Sequence, residues 1–311
     1  MPSTKISNPE PKNKWPIIIF IIIALFLVSA FFALIVSIFT GGNEQYSDGN
    51  TLIIPIEGEI TSGSSSNILS STVSSDNIIN SINQAESDDS IKAVIFEINS
   101  PGGAPVGSHE IVKAIKSMKK PKVSVIRDVG ASGAYWVASS TERIFADEMS
   151  VTGSVGVLAS YLNFYKFLDR YNITYQRIVG GEYKDISSPF TELTDQERLE
   201  LDQKVSLLDT FFLDDVTKNR NLTREQRSVI STGIFYIGIE AKDLNLIDEF
   251  GGEKEALAYL KEKTGVEMTP KRIIARKGIL DLIGSLSYTS GANFANGFKD
   301  SMSTQQKISL N

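Results

Sequence analysis

A chain of 311 residues has room for one sizeable domain or two small ones, and 31 basic against 37 acidic residues give a net charge of −6 that argues against nucleic acid as a partner. With no cysteine there is no disulfide, thiolate nucleophile or cysteine-ligated zinc, and a single histidine, His109, leaves histidine-rich metal sites and multi-histidine catalysis without ligands. No metal, nucleotide or other cofactor is expected.

In chain order, residues 1–14 form a short tail carrying Lys5, Lys12 and Lys14. Residues 15–40, WPIIIFIIIALFLVSAFFALIVSIFT, contain no charge and exceed the ~20 apolar residues that span a bilayer as a helix, which predicts one transmembrane helix in contact with lipid. A cleaved secretory signal would have a shorter apolar region, typically about 7–15 residues, and a small-residue cleavage site. Lysines precede the segment while Glu44 and Asp48 follow it, so the positive-inside rule puts the N-terminus in the cytoplasm. A cell-membrane protein with a single pass and everything beyond Thr40 outside is therefore expected.

Small and polar residues over 41–50 read as a linker, and the body is expected over 51–268. Thr51–Ile60 and Ile91–Ile98 read as strands, with helical spacing of apolar residues between them over Asn77–Ala85. The spacing then predicts a helix over Ile111–Met118, a strand over Lys122–Ile126, a helix over Tyr135–Ser140, a short strand over Arg143–Ala146, a helix over Tyr161–Tyr171 and a strand over Ile173–Ile178. Such alternation favours helices covering a mainly parallel sheet. Thr194–Asn219 reads as one long amphipathic helix with Leu199, Leu201, Val205, Leu208, Phe211, Phe212 and Val216 as its apolar face. A C-terminal extension over 269–311 contains an apolar stretch at 278–287, suited to packing on the body or lying at a membrane, and is expected to be loose beyond Asn296. The triplets at Asn172 and Asn221 fit the glycosylation sequon, which matters only in a secretory setting.

Three glycine-containing turns follow predicted strands: Ser100-Pro-Gly-Gly103, Gly130-Ala-Ser-Gly-Ala134 and Thr152-Gly-Ser-Val-Gly156. Loops beyond the ends of α/β strands are where free backbone N–H groups and helix starts converge on ligands. Ser132 there has the placement of a nucleophile, and the amides of Gly102 and Gly103, unscreened by side chains, suit an oxyanion. The same residues also suit helix caps and turns. A serine nucleophile needs a base; His109, at the start of a predicted helix, reads better as a solvated side chain, and lysine can serve where an apolar setting keeps its amine neutral. Lys184 lies in the turn Val179-Gly-Gly-Glu-Tyr-Lys-Asp185, where position alone would make it an exposed lysine.

The motifs taken together, Ser100-Pro-Gly-Gly103, Ala131-Ser-Gly-Ala-Tyr135, Thr152-Gly-Ser-Val-Gly156 and Gly181-Glu-Tyr-Lys-Asp185, in this order and spacing, resemble the signal peptide peptidase A family of serine peptidases, in its short, single-repeat form. Thr232–Ala241 and Leu244–Gly252 resemble the family's closing motifs, and the resemblance covers about residues 51–265 plus the apolar N-terminal segment. It implies a Clp protease/crotonase-like α/β fold of repeated strand–strand–helix units. It further implies Ser132 as nucleophile, Lys184 as general base, Ser154 orienting the lysine amine, and Gly102, Gly103 and Gly133 as the oxyanion hole. The activity implied is endoproteolysis of released signal peptides and other unfolded apolar peptides, and a single repeat implies a homo-oligomeric ring, such as an octamer, with sites completed between neighbours. Ala134 and Trp136 depart from the family pattern, where glycine and another aromatic are frequent, and are expected to alter packing. Asn245 replaces a glycine, as asparagine can where the backbone is left-handed. The alternatives are a crotonase-type hydratase or isomerase binding coenzyme A, a peptidase trimming stomatin-like membrane proteins, and a noncatalytic membrane scaffold.

Overall fold

A computed structural model of the chain describes residues 15–40, 45–46, 48–63 and 72–274. Two compact units divide it, Met1–Tyr46 with Ile274–Asn311, and Ser47–Ile273. The expectations for the tail at 1–14, most of the linker, the apolar stretch at 278–287 and the end of the chain lie outside the described residues. In the first unit, α1 (Trp15–Thr40) is a continuous helix of 26 residues and β1 (Gln45–Tyr46) is a short strand. Side chains of α1 are described at Trp15 and over 18–32, almost all exposed; among the described residues no helix is long and apolar enough to cross a membrane.

The second unit runs β2 (Thr51–Glu57), β3 (Glu59–Thr61), β4 (Thr72–Ser74), α2 (Ser75–Ser87), β5 (Ala93–Ser100), α3 (Pro105–Ser117), β6 (Lys122–Ala131), α4 (Gly133–Ser139), β7 (Ile144–Ala146) and β8 (Val151–Gly153). There follow α5 (Tyr165–Arg170), α6 (Asp195–Arg220), α7 (Arg224–Ile230), β9 (Phe235–Ile237), α8 (Gly238–Asp243), β10 (Glu249–Phe250), α9 (Glu253–Thr264) and β11 (Pro270–Ile274). The central sheet has the order β11-β2-β5-β6-β7-β10, all parallel. Both faces are covered, which is why β2, β5 and β6 each hold four consecutive buried residues instead of alternating ones. Ile53, Ile95, Val123, Val125 and Phe145 pack beneath Ala256 and Leu260 of α9. The alternation expected over 51–146 is thus present, with one break: Gly58, at φ 78, ends β2 and lets the chain restart as β3.

The long strand β6 serves two neighbours in turn. Its first half pairs with β7 and its last residues, Val129–Ala131, pair with Val151–Gly153 of β8, parallel and in register. A register shift between Ile98 and Ser100 lets Ser100 face Gly130 across β5 and β6. These pairings bring the ends of β5, β6 and β8 to one edge.

Three expectations fail beyond that edge. No strand forms over 173–178, where Ile173, Tyr175 and Ile178 are exposed, the last at 97%, and no strand edge among the described residues pairs with their backbone. The helix expected over Tyr161–Tyr171 shrinks to Tyr165–Arg170. Helix α6 starts as expected, with Thr194 and Glu197 closing a reciprocal capping box, and ends on left-handed Asn221 at φ 51. Only Phe212, Leu213, Val216 and Arg220 of it are buried, however, and Leu199, Leu208 and Phe211 of the expected apolar face are exposed. No residue between Val155 and Phe212 is buried.

Candidate active site

Ser132 follows the last residue of β6 and precedes α4, and it stands at φ 52, ψ −126, a conformation costly for any residue with a side chain. Two bonds hold this sharp strand-to-helix turn: Ser132 N–H donates to Gly153 O at 2.8 Å, and Trp136 N–H donates to Ser132 O at 3.0 Å. The first ties the turn to the end of β8. Since Ala131 faces Gly153 in register, the next residues, Ser132 and Ser154, leave adjacent strands side by side, and Ser154 is likewise at positive φ, 50. Ser154 N–H is fixed to Ile234 O at 3.0 Å, and Thr152 Oγ1 donates to Gly130 O at 2.8 Å, bracing the two strand ends against each other.

The third turn closes over them. Gly102, at φ 103, lies so close that a Cβ there would come 2.8 Å from Gly133 N and 2.9 Å from the Ser132 Cβ. Gly103, at φ 153, bridges Ile60, whose N–H donates to Gly102 O and whose carbonyl accepts from Ala104 N–H, both at 2.8 Å. A Cβ on Gly103 would collide with the Ile60 backbone. The N–H of Gly102 is engaged by Ser100 Oγ at 3.2 Å, whereas those of Gly103 and Gly133 have no acceptor among the described residues. Of the three glycines expected to hold an oxyanion, two therefore have an amide to offer. Ser100, buried at the end of β5, sets this division of labour, and nothing in the sequence distinguished it from an ordinary turn serine.

Lys184 stands apart. It is exposed, its N–H donates to Gly181 O at 3.1 Å, and no hydrogen bond among the described residues joins it to Ser132 or Ser154. The turn that carries it is held by Arg177, whose guanidinium is bonded to both Asp185 oxygens at 2.6 and 2.7 Å. The structure brings Ser132, Ser154, Gly102, Gly103 and Gly133 together and leaves Lys184 on the surface of the Val155–Phe212 segment.

Behind α4 lies a polar–aromatic cluster. His109 is half-buried instead of fully solvated: its ring stacks on Trp136, centroids 5.1 Å apart, and meets Phe211 edge-on at 5.0 Å. Desolvation, helped by Lys113, holds its pKa below the ordinary 6.5. Asp215 accepts from Trp136 Nε1 and Lys116 Nζ, both at 2.7 Å. Burial pushes that carboxyl up, but the two donors outweigh it and keep it below the usual range. Trp136 also packs against Phe211 and Phe212, with centroids 5.9 and 4.8 Å away. No group of three or more histidine, cysteine or acidic side chains able to hold a metal occurs among the described residues.

The profile of peptidase family S49 matches residues 114–267. The chain is 33% identical over 218 residues, 68% of its length and 70% of the relative's, to a protein of Methanocaldococcus jannaschii provisionally named a protease. It is 29% identical over 224 residues to an Enterococcus faecium protein provisionally named signal peptide peptidase SppA, and 29% identical over 221 residues to Protease 4 of Haemophilus influenzae. It spans 65% of the former and 35% of the latter. From the match to the archaeal protein across most of both chains, the family profile and the parallel α/β sheet, we conclude that this chain belongs to peptidase family S49, the signal peptide peptidase A family, a family of serine-type endopeptidases.

Proposed function

We propose that this chain is a membrane-anchored serine endopeptidase of the Clp protease/crotonase fold that hydrolyses released signal peptides and other unfolded apolar peptides with a Ser132–Lys184 pair. The observation that carries the reading is Ser132 on a strained turn, flanked by Ser154 and by two amides, Gly103 and Gly133, without acceptors among the described residues. In the reaction, Lys184 takes the Ser132 proton as Oγ attacks the peptide carbonyl. The oxyanion is held by the Gly103 and Gly133 N–H groups, the leaving amine receives the proton, and water repeats the sequence on the acyl-enzyme. Ser154 orients the amine. These residues require no metal or nucleotide.

The exposed position of Lys184, on a segment in which no residue from Gly156 to Phe211 is buried, supports a site completed by a second copy in a homo-oligomeric ring. Leu158, Leu162, Phe167 and Ile178 of that segment would be covered in such an assembly. The uncharged apolar run over residues 15–40 of the sequence, with lysines before it and acids after it, supports an anchor whose N-terminus is cytoplasmic and whose body stands outside. A body tethered at a membrane meets released signal peptides at high effective concentration.

The test is cleavage of a leader-derived peptide together with fluorophosphonate labelling. Wild type should cleave and label, Ser132→Ala should do neither, and Lys184→Ala should stay folded and assembled by light scattering while turnover falls at least about a hundredfold. Full turnover in either variant would reject the pair.

A further inference from the structure

Three buried side-chain polar atoms among the described residues lack a hydrogen-bond partner, and one of them, Ser108 Oγ, rests against the nucleophile turn. Ser108 lies in the first turns of α3, fully buried, with its N–H donated to Ala104 O at 3.0 Å. Its neighbour Gly107 packs closely as well: a Cβ there would come 2.9 Å from Thr61 O, so α3 sits tightly against β3. Turned inward, Ser108 meets Gly133, where any Cβ would collide with its hydroxyl. The amide nitrogen of Gly103 is 3.5 Å from that same point. The free hydroxyl is therefore on the side of Gly133 that also faces Gly103, near the two amides that have no acceptor among the described residues.

An unpaired buried hydroxyl weakens a fold, and alanine in its place would not. A donor that is idle in the resting protein and satisfied only as negative charge develops stabilises the transition state without tightening substrate binding. We infer that Ser108 is a third oxyanion donor: its Oγ–H turns to the tetrahedral oxygen next to the Gly103 and Gly133 N–H groups and keeps its proton throughout. The inference rests on the assignment of Ser132 as nucleophile.

The experiment compares full-length wild type, Ser108→Ala, Ser108→Cys and Ser132→Ala with a fluorogenic leader-derived peptide and a peptide aldehyde, whose hemiacetal with Ser132 bears the same oxygen. Ser108→Ala should lose about a hundredfold in kcat, as when one donor of such a site is removed. KM should move less than about twofold, aldehyde affinity should fall with kcat, and the unfolding midpoint should hold or rise. If Ser108→Ala does not fold, Ser108→Cys, similar in shape with a weaker donor, carries the same comparison. Unchanged kcat and aldehyde affinity, or a loss of kcat that tracks KM or the unfolding midpoint, would overturn the third donor. Activity in Ser132→Ala would instead reject the nucleophile, an outcome distinct from an active Ser108→Ala beside an inactive Ser132→Ala.

Discussion

At φ 52 and ψ −126 the Ser132 backbone lies where a Cβ is strained, by about 1–3 kcal/mol, and the surrounding bonds to Gly153 and Trp136 hold it there. Glycine has no such penalty. Ser132→Gly should therefore abolish cleavage while raising stability by about 1 kcal/mol in urea unfolding; a destabilised variant would show that the turn is not strained. Histidine 109 offers a second residue-level expectation. Its folded pKa is depressed, mainly by desolvation, so the unfolded chain binds its proton first as pH falls. The stability from keeping it neutral is fully present above 6.5 and is lost as pH drops from there toward the lower folded value. His109→Phe should flatten the fall in Tm between about pH 7 and pH 5 relative to wild type, and an unchanged slope would place the titration elsewhere.

At the scale of elements, the turns that shape the site are held by contacts between segments far apart in the chain. Arg220, at the end of α6 and only 6% exposed, forms a fork with Asp248, both bonds 2.9 Å, while its Nε donates to Asn245 O at 3.0 Å. Asp248 also accepts from Ile144 N–H of β7 at 2.7 Å, and Asn245, left-handed at φ 62, returns a bond to Arg220 O at 2.9 Å. The buried Tyr135 hydroxyl of α4 donates to Leu246 O at 2.8 Å, and desolvation drives its pKa up, so it remains a donor. This lock joins the long helix, the closing loop and the helix that follows Ser132. Arg220→Met leaves the Asp248 carboxylate half-buried without its cation and should cost about 3–5 kcal/mol in chemical denaturation; a loss below about 1 kcal/mol would show the fork to be dispensable.

For the whole molecule, the arrangement of Lys184 and Ser132 makes a stoichiometric prediction. Neither Ser132→Ala nor Lys184→Ala alone should cleave peptide, but subunits of the two variants, mixed and reassembled, should regain roughly a quarter of wild-type activity, since serine and lysine from different copies can then meet. No recovery in a reassembled mixture would place both residues in one subunit. The exposed apolar positions of the 156–211 segment fit the proposed ring: a neighbouring copy would supply both an edge for the missing strand and a cover for the first half of α6.

Much of this protein is legible in its residues alone. Alternating apolar runs between 51 and 146 specify strands and helices through local periodicity, the start of α6 at Thr194 follows from its amphipathic spacing, and the left-handed Asn245 follows from the resemblance, where it stands in place of a glycine. Motif order identifies the serine, glycine and lysine candidates. Tertiary structure alone decided that Ser132 and Ser154 leave neighbouring strands in register, that Ser100 occupies the Gly102 amide, that His109 stacks beneath Trp136, and that Ser108 lies against Gly133. The division has a physical cause: periodicity and capping act between residues a turn apart, whereas register, burial and unpaired donors depend on which distant segments the sheet brings together.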